Sequence, residues 1–138
     1  MTTATKNEEK TVTVTIDGAA VNVSEGAMIL EAARKAGARI PTLCWHSALG
    51  PIGSCRVCLV EVEGIDRPAT ACNTQALHGM KIVTRSTRLF SLRREVIKMI
   101  LAHHPLNCAP CPLNGDCRLQ DMAYEYDLTA FDFIEYVV

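Results

Sequence analysis

Seven cysteines and one histidine in this chain fall into two groups of four residues, and four is the usual number of protein ligands in a metal centre. The first group has the spacing C-x10-C-x2-C-x13-C, and the second has the spacing H-x3-C-x2-C-x5-C. Because every cysteine is used once, the pattern favours two iron–sulfur clusters. The members are Cys44, Cys55, Cys58 and Cys72 in the first group, and His104, Cys108, Cys111 and Cys117 in the second.

The composition of the chain restricts the range of possible functions. The 138 residues carry a net charge of −1 without a block rich in lysine or arginine, so nothing favours nucleic-acid binding. No apolar run approaches the roughly 18 residues of a membrane-spanning helix, and the polar N-terminus does not resemble a signal peptide. We therefore expect a cytoplasmic protein with no membrane insertion and with reduced thiols. In that compartment clustered cysteines indicate metal or redox chemistry rather than disulfides.

Alternating β-branched residues predict a sheet of short strands. The clearest pair surrounds Asp17-Gly18, a dipeptide typical of a two-residue hairpin turn. Two prolines and two glycines between residues 40 and 56 predict a long loop, which carries Cys44 and Cys55. The strands are expected over residues 11–16, 20–23, 57–63 and 80–84, with a further short segment over residues 67–72.

Three helices are predicted from capping residues and apolar periodicity. Ser24 is the candidate N-cap of the first helix, and Ser86 is that of the second. Gly37 and Pro105 are expected to end these two helices. The helices are expected over residues 26–36, 87–102 and 116–126. For the second helix, we expect an apolar face made by Leu89, Leu92, Val96, Met99 and Ile100, with Arg88, Arg93, Arg94 and Lys98 elsewhere, as a solvated surface or a partner-docking surface.

The first cysteine group is predicted to wrap around its metal centre from a loop. Four thiolates must converge from several directions, which a single helix or strand cannot achieve, whereas a loop with glycines can bring its backbone close. Backbone N–H groups of residues 52–57 are candidates for hydrogen bonds to the sulfurs. Structural zinc is the alternative, but a four-cysteine zinc site usually has two C-x2-C pairs and this group has only one.

The predicted strands and helix, the cysteine loop and the late fourth cysteine resemble a [2Fe–2S] ferredoxin domain of β-grasp fold. The spacing differs from the plant-type C-x4-C-x2-C run. It is similar to the N-terminal domain of the large iron–sulfur subunit of respiratory complex I. The same domain occurs in the diaphorase part of NAD-linked [NiFe]-hydrogenases, in [FeFe]-hydrogenases and in NAD-dependent formate dehydrogenases.

The segment HHPLNCAPCPLNGDCRLQD strengthens this resemblance. In these proteins a segment with the same His-x3-Cys-x2-Cys-x5-Cys spacing holds a [4Fe–4S] cluster with one histidine ligand. The resemblance therefore implies His104, Cys108, Cys111 and Cys117 as ligands of a [4Fe–4S] cluster, and the four residues of the first group as ligands of a [2Fe–2S] cluster. His103 is the alternative histidine ligand, although we expect it to interact with the C-terminus of the preceding helix.

The resemblance implies an α+β fold in two parts. We expect a β-grasp [2Fe–2S] ferredoxin-like domain over residues 11–85 and a small helical, His/Cys-ligated [4Fe–4S] domain over residues 86–127. Residues 1–10 are predicted to form a disordered polar leader. Residues 128–138 form an apolar, aromatic tail, for which we expect either packing on this chain or contact with a partner.

The sequence contains no recognisable nucleotide fingerprint, flavin or molybdopterin site, or nucleophile–base pair. We therefore expect no substrate site on this chain. The resemblance implies an electron-transfer subunit that relays electrons between a flavin/NAD(P)-linked diaphorase subunit and a catalytic subunit, either hydrogenase or formate dehydrogenase. Three alternatives remain: a peripheral-arm component of a complex I-like NADH:quinone oxidoreductase, a zinc-stabilised structural adaptor, and a cluster-based redox sensor.

Overall fold

The computed structural model describes residues 9–129 and Asp132. Most of the predicted leader, and all of the predicted tail beyond Thr129 except Asp132, lie outside the described residues. The described part contains five strands and three helices. They are β1 (Thr11–Ile16), β2 (Ala19–Ser24), α1 (Ile29–Lys35), β3 (Leu59–Val62), β4 (Ile65–Thr70), β5 (Lys81–Val83), α2 (Thr87–Ala102) and α3 (Arg118–Glu125).

The strands form one mixed sheet in the order β2-β1-β5-β3-β4. β1 and β2 pair as an antiparallel hairpin, and Asp17 and Gly18 at its turn have φ values of 49° and 87°, as a type I′ turn requires. β5 lies between the two hairpins, parallel to β1 and antiparallel to β3. The predicted hairpin is confirmed, and the two halves of the sheet are joined through a strand of only three residues.

Helix α1 begins later than predicted, and Ser24 does not cap it. Ser24 is the last residue of β2 and pairs with Thr11, so strand pairing takes the residue that the local pattern assigned to a cap. Gly26 follows in the left-handed region with φ 92°, and the helix starts at Ile29. The Glu31 carboxylate instead accepts a hydrogen bond of 2.9 Å from the N–H of Met28, the residue before the helix.

Helix α2 has the predicted bounds and cap but a different buried face. The Ser86 hydroxyl accepts a hydrogen bond of 3.0 Å from the Leu89 N–H, as expected of an N-cap. Met99, which was expected to be buried, is 51% exposed, whereas Arg93 is only 5% exposed. The prediction of a purely apolar buried face was therefore wrong. The buried residues of α2 are Leu89, Arg93, Ile97 and Leu101.

Arg93 is buried because it satisfies backbone acceptors at the sheet. Its guanidinium donates hydrogen bonds to the carbonyl oxygens of Leu59, at 2.5 Å, and Thr84, at 2.9 Å. Arg94 likewise donates to the Tyr126 carbonyl at 3.1 Å and forms an ion pair with Asp132 at 2.8 Å. These arginines attach α2 to its neighbours and do not form the solvated surface that the sequence suggested.

Two apolar clusters hold the described residues together. The first lies between the sheet and α1 and includes Val14, Ile29 and Val60. The second joins α2, α3 and the cysteine loop that precedes β3, because Val57 of that loop is fully buried in it. Within the described residues, no helix has the length and apolar character needed to cross a membrane. The buried residues of the second cluster are Val57, Ile97, Leu101, Leu119, Met122, Tyr126 and Leu128.

Candidate metal centres

The sheet places two cysteines of the first group side by side. Cys58 directly precedes β3, and Cys72 follows β4 by two residues. The Ala71 N–H donates a hydrogen bond of 2.9 Å to the Cys58 carbonyl, which continues the pairing of these two antiparallel strands. Cys58 and Cys72 are 2% and 1% exposed, so both thiols lie where water is excluded.

The loop between α1 and β3 brings the other two cysteines of this group together. The Cys55 N–H donates a hydrogen bond of 3.4 Å to the Cys44 sulfur. The loop curves sharply, since Gly53 and Arg56 both have positive φ, 68° and 62°. A Cβ atom at Gly53 would lie 2.3 Å from Nδ2 of Asn73, so any side chain at this position requires the Asn73 amide or the loop to move.

The pKa values of two thiols reflect this convergence. Burial, together with hydrogen bonding to the Cys72 side chain and the charges of Cys72 and Cys55, raises the pKa of the Cys58 thiol to about 12. Partial burial acts in the same direction on Cys44, but hydrogen bonds from Cys55, Ser54 and its own backbone lower the pKa of the Cys44 thiol below its usual value. The thiols of Cys58, Cys72 and Cys55 are therefore close enough to interact electrostatically. A buried Cys58 thiolate requires a positive counter-charge such as iron.

The second group lies in the loop between α2 and α3. His103 is the C-cap of α2, and the His104 N–H donates to the Leu101 carbonyl at 3.0 Å. Cys108 and Cys111 sit on one tight turn, because the Cys111 N–H donates to the Cys108 carbonyl at 3.0 Å. Cys117 is the residue before α3. One small cavity brings the predicted ligands together, since it is lined by His104, Cys108, Cys111 and Cys117.

Gln120 holds the shape of this loop, a role that the sequence did not indicate. Its side-chain oxygen accepts a hydrogen bond of 2.9 Å from the Gly115 N–H, and its amide nitrogen donates to the Asn114 side chain at 2.8 Å. Gln120 also lines the cavity with the predicted ligands. A glutamine in the first turn of α3 therefore fixes the backbone that leads into Cys117.

The two adjacent histidines have different surroundings. Nδ1 of His103 lies 3.2 Å from the Met99 carbonyl, one turn back in α2. The ring is therefore engaged with the C-terminal end of the helix, as the sequence predicted. Among the described residues, His104 lines the cavity of the second group and His103 does not. This arrangement favours His104 over His103 as the ligand.

His78 and Trp45 have contacts that explain them without a metal. Nδ1 of His78 accepts a hydrogen bond of 3.2 Å from the Thr13 N–H and so satisfies a backbone donor in the middle of β1. Trp45 packs on the first apolar cluster, with the Arg34 guanidinium 3.9 Å from its ring centroid. Neither residue is needed in either group of candidate ligands.

The residues of both groups fit iron–sulfur clusters. All seven cysteines are free thiols, and the N–H of Cys55 already donates to the sulfur of the predicted ligand Cys44. Among the described residues, no three histidine, cysteine, aspartate or glutamate side chains are arranged around a single metal ion. Iron–sulfur clusters have two or four irons that share the protein ligands, so these ligands need not meet at one point.

The two candidate sites are joined by direct contacts. Arg118, next to Cys117, donates hydrogen bonds to the Thr42 carbonyl at 2.5 Å and to the Thr42 hydroxyl at 2.8 Å. Cys55 and Cys117 both pack against the second apolar cluster. The hydrogen bonds link residues 76 positions apart, and sequence spacing gives no signal of them.

A mixed sheet with a cysteine loop before β3, followed by a helical segment with a His/Cys loop, defines the class of ferredoxin-like iron–sulfur proteins. The family model for the 2Fe-2S iron-sulfur cluster binding domain matches residues 9–87, and that for the NADH-ubiquinone oxidoreductase-G iron-sulfur binding region matches residues 93–130. The chain therefore belongs to the family of 2Fe–2S iron–sulfur cluster binding domains, and its second part is a 4Fe–4S binding region. The predicted α+β ferredoxin-like fold and one cluster of each type are confirmed.

Individual relatives are subunits of NAD(P)-linked oxidoreductases. The chain is 46% identical over 113 residues to the NADPH-Fe(3+) oxidoreductase subunit alpha of Geobacter sulfurreducens. The aligned region is 82% of this chain and 13% of that protein. It is 39% identical over 125 residues to the NADH-ubiquinone oxidoreductase 75 kDa subunit of Reclinomonas americana. That alignment covers 91% of this chain and 18% of that protein. The chain thus spans less than a fifth of the length of these curated relatives.

A solved structure shows the same fold. A chain of an NAD+-reducing [NiFe]-hydrogenase in the H2-reduced state superimposes with a TM-score of 0.79 and 39% sequence identity. The match covers 86% of this chain and 50% of the hydrogenase chain. The resemblance to the complex I subunit and to hydrogenase diaphorase proteins is therefore confirmed.

Proposed function

We propose that this chain is an iron–sulfur electron-transfer subunit of a multi-subunit NAD(P)-linked oxidoreductase. The observation that carries the proposal is the close connection of two cluster sites, whose ligands Cys55 and Cys117 pack on one apolar cluster. When bound, each cluster supplies reversible one-electron reduction. The names of the relatives, an NADPH-Fe(3+) oxidoreductase subunit and an NAD+-reducing hydrogenase, support the NAD(P) link.

The proposal assigns the ligands residue by residue. Cys44, Cys55, Cys58 and Cys72 hold the [2Fe–2S] cluster, and His104, Cys108, Cys111 and Cys117 hold the [4Fe–4S] cluster. The fold contributes to the first site by excluding water from two of its thiols and by donating the Cys55 N–H to the Cys44 sulfur. At the second site, the turn from Cys108 to Cys111 and the start of α3 set the positions of the thiols.

The partners in this proposal are a flavin/iron–sulfur diaphorase subunit and a catalytic subunit of the hydrogenase or formate dehydrogenase type. We place the complex in the cytoplasm, where the seven free thiols of this chain are kept reduced for cluster assembly. A second candidate is a peripheral-arm component of a complex I-like NADH:quinone oxidoreductase. The 39% identity to the 75 kDa subunit of an NADH-ubiquinone oxidoreductase favours that alternative. Purification from the native cell separates the two, because quinone-reducing partners would favour the second.

The first test is metal and sulfide analysis of anaerobically purified protein, with EPR spectroscopy after reduction. One cluster of each type corresponds to about six irons and about six acid-labile sulfides per chain, with two distinct EPR signals. Zinc without sulfide would refute the electron-transfer proposal and would identify a structural adaptor. Clusters that change the binding of a partner, without passing electrons to it, would support the redox-sensor alternative.

The ligand assignment has its own test. Cys111→Ser removes a ligand from the exposed loop of the second site, so it should abolish the [4Fe–4S] signal and preserve the [2Fe–2S] signal. Cys58→Ser is the matched variant and should produce the opposite result. Loss of the same signal in both variants would contradict the assignment of these residues to two separate clusters.

A further inference from the structure

Among the described residues, Arg118 makes a direct connection between the two candidate cluster sites. It follows the predicted ligand Cys117, and its Nη2 atom donates to two oxygen atoms of Thr42, the carbonyl at 2.5 Å and the hydroxyl at 2.8 Å. Thr42 precedes the predicted ligand Cys44 by two residues and is only 8% exposed. A single guanidinium therefore attaches the start of the first ligand loop to the end of the second.

Apolar packing continues this connection on both sides of the guanidinium. Leu43, which lies between Thr42 and Cys44, packs against the second apolar cluster, as do Cys55 and Cys117. The hydrogen bonds of Arg118 therefore attach a segment that already borders both sites. Movement of Thr42 would be transmitted to Cys44 through one intervening residue.

We propose that Arg118 is a positioning residue for both clusters, which sets their relative placement and raises their reduction potentials. The proposal rests on the proposed function. The guanidinium fixes the Cys44 segment relative to Cys117 through two charge-assisted hydrogen bonds. It also carries a permanent positive charge on a residue next to Cys117, hydrogen-bonded to a residue two positions before Cys44. Because reduction adds negative charge to a cluster, a nearby cation stabilises the reduced form.

The chain contains a matched comparison for this residue. Arg39 also links α3 to the segment before Cys44, through a bidentate pair with Glu125 at 2.8 and 3.0 Å. The Arg39 side chain is 69% exposed, and neither partner is adjacent to a predicted ligand. Arg118 is also exposed, so the two arginines differ in their acceptors rather than in exposure. Arg118 donates to a buried threonine two residues from a predicted ligand, whereas Arg39 donates to a carboxylate that offsets its charge.

The test compares Arg118→Gln, Arg118→Lys and Arg39→Gln in the cluster-loaded protein. Redox titration followed by EPR gives the potential of each cluster, and the magnetic interaction between the two reduced clusters reports their relative placement. We expect Arg118→Gln to lower both potentials and change the interaction, Arg118→Lys to restore most of both, and Arg39→Gln to leave both unchanged. Equal shifts in Arg118→Gln and Arg39→Gln, or no shift in Arg118→Gln, would overturn the proposal.

If the Arg118→Gln protein does not bind its clusters, Thr42→Val provides a second test of the same proposal. This variant removes the hydroxyl acceptor but retains the carbonyl acceptor and the arginine charge. It should change the magnetic interaction and leave the [4Fe–4S] potential in place, and an unchanged interaction would refute the positioning role. Iron and sulfide analysis of the unmodified protein separates these results from failure of the proposed function, because zinc without sulfide there would refute both.

Discussion

His104, the proposed histidine ligand, would differ from the cysteine ligands in the charge that it brings to a cluster. A neutral imidazole in place of a thiolate removes one negative charge from the surroundings, which raises the reduction potential, as in Rieske centres. We therefore predict that His104→Cys retains a [4Fe–4S] cluster and lowers its potential. Redox titration followed by EPR measures this change.

His103→Gln is the control for this prediction, because His103 is adjacent in sequence and is engaged with the Met99 carbonyl. Its potential should equal that of the unmodified protein. If His104→Cys left the potential unchanged while His103→Gln altered it, the ligand would be His103.

Gly53 is a second residue whose identity is set by its surroundings. An alanine there would place its Cβ atom 2.3 Å from Nδ2 of Asn73, whose side chain is held by a hydrogen bond from the Thr70 hydroxyl. We predict that Gly53→Ala displaces the cysteine loop and reduces the amount of [2Fe–2S] cluster bound. The integrated EPR signal per chain and the iron content measure this loss.

Gly50→Ala is a close control, since Gly50 lies in the same loop with φ 71° but has nothing within 4 Å of an added Cβ atom. Both variants carry the cost of a left-handed alanine, about 1–2 kcal/mol. Only Gly53→Ala adds the steric conflict. Equal cluster content in the two variants would show that backbone strain alone determines the outcome.

At the scale of the elements, Arg93 attaches α2 to the sheet. We predict that Arg93→Met lowers the free energy of unfolding by about 2–4 kcal/mol, because the Leu59 and Thr84 carbonyls lose their donor at a buried site. Thermal unfolding of the cluster-loaded protein, monitored by circular dichroism under anaerobic conditions, measures the change.

Arg85→Met is the control, since Arg85 is exposed and the described residues offer its side chain no hydrogen bond or ion pair. A similar fall in Tm for both variants would mean that charge, rather than the two hydrogen bonds, is responsible.

Helices α1 and α2 show which features local sequence predicts. The start of α2 was predictable because the Ser86 cap acts on its own first turn, and its end was predictable because Pro105 cannot continue a helix. The burial of Arg93 was not predictable, since one of its acceptors is the carbonyl of Leu59, a strand residue 34 positions away. The prediction of Ser24 as an N-cap was wrong for the same reason, because Ser24 pairs with Thr11 in the sheet instead. Interactions within one turn are encoded locally, whereas pairing and burial depend on distant partners.

At the scale of the whole molecule, the sequence spacing indicated the candidate ligands more clearly than it indicated how the two parts of the chain pack together. The spacing predicted the two groups of four, because each group is centred on one C-x2-C pair and the two pairs lie far apart in the sequence. It suggested two modules with a boundary near residue 85, whereas Val57, between two cysteines of the first group, packs in the second apolar cluster. The described part of the chain is therefore more interconnected than its motifs suggest.

This interconnection predicts a coupled effect of Val57→Ala. The truncation removes buried methyl groups at a fully buried position and should cost about 2 kcal/mol. Since the lost contacts hold α2 and α3 against the first cysteine loop, both clusters should be released faster. The measurement is the decay of the two EPR signals during warming of anaerobic samples.

Val23→Ala is the matched control, because Val23 is 6% exposed and belongs only to the first apolar cluster. It should leave the [4Fe–4S] signal more persistent than Val57→Ala does. If Val57→Ala accelerated only the loss of the [2Fe–2S] signal, the two sites would behave as independent modules despite their shared core.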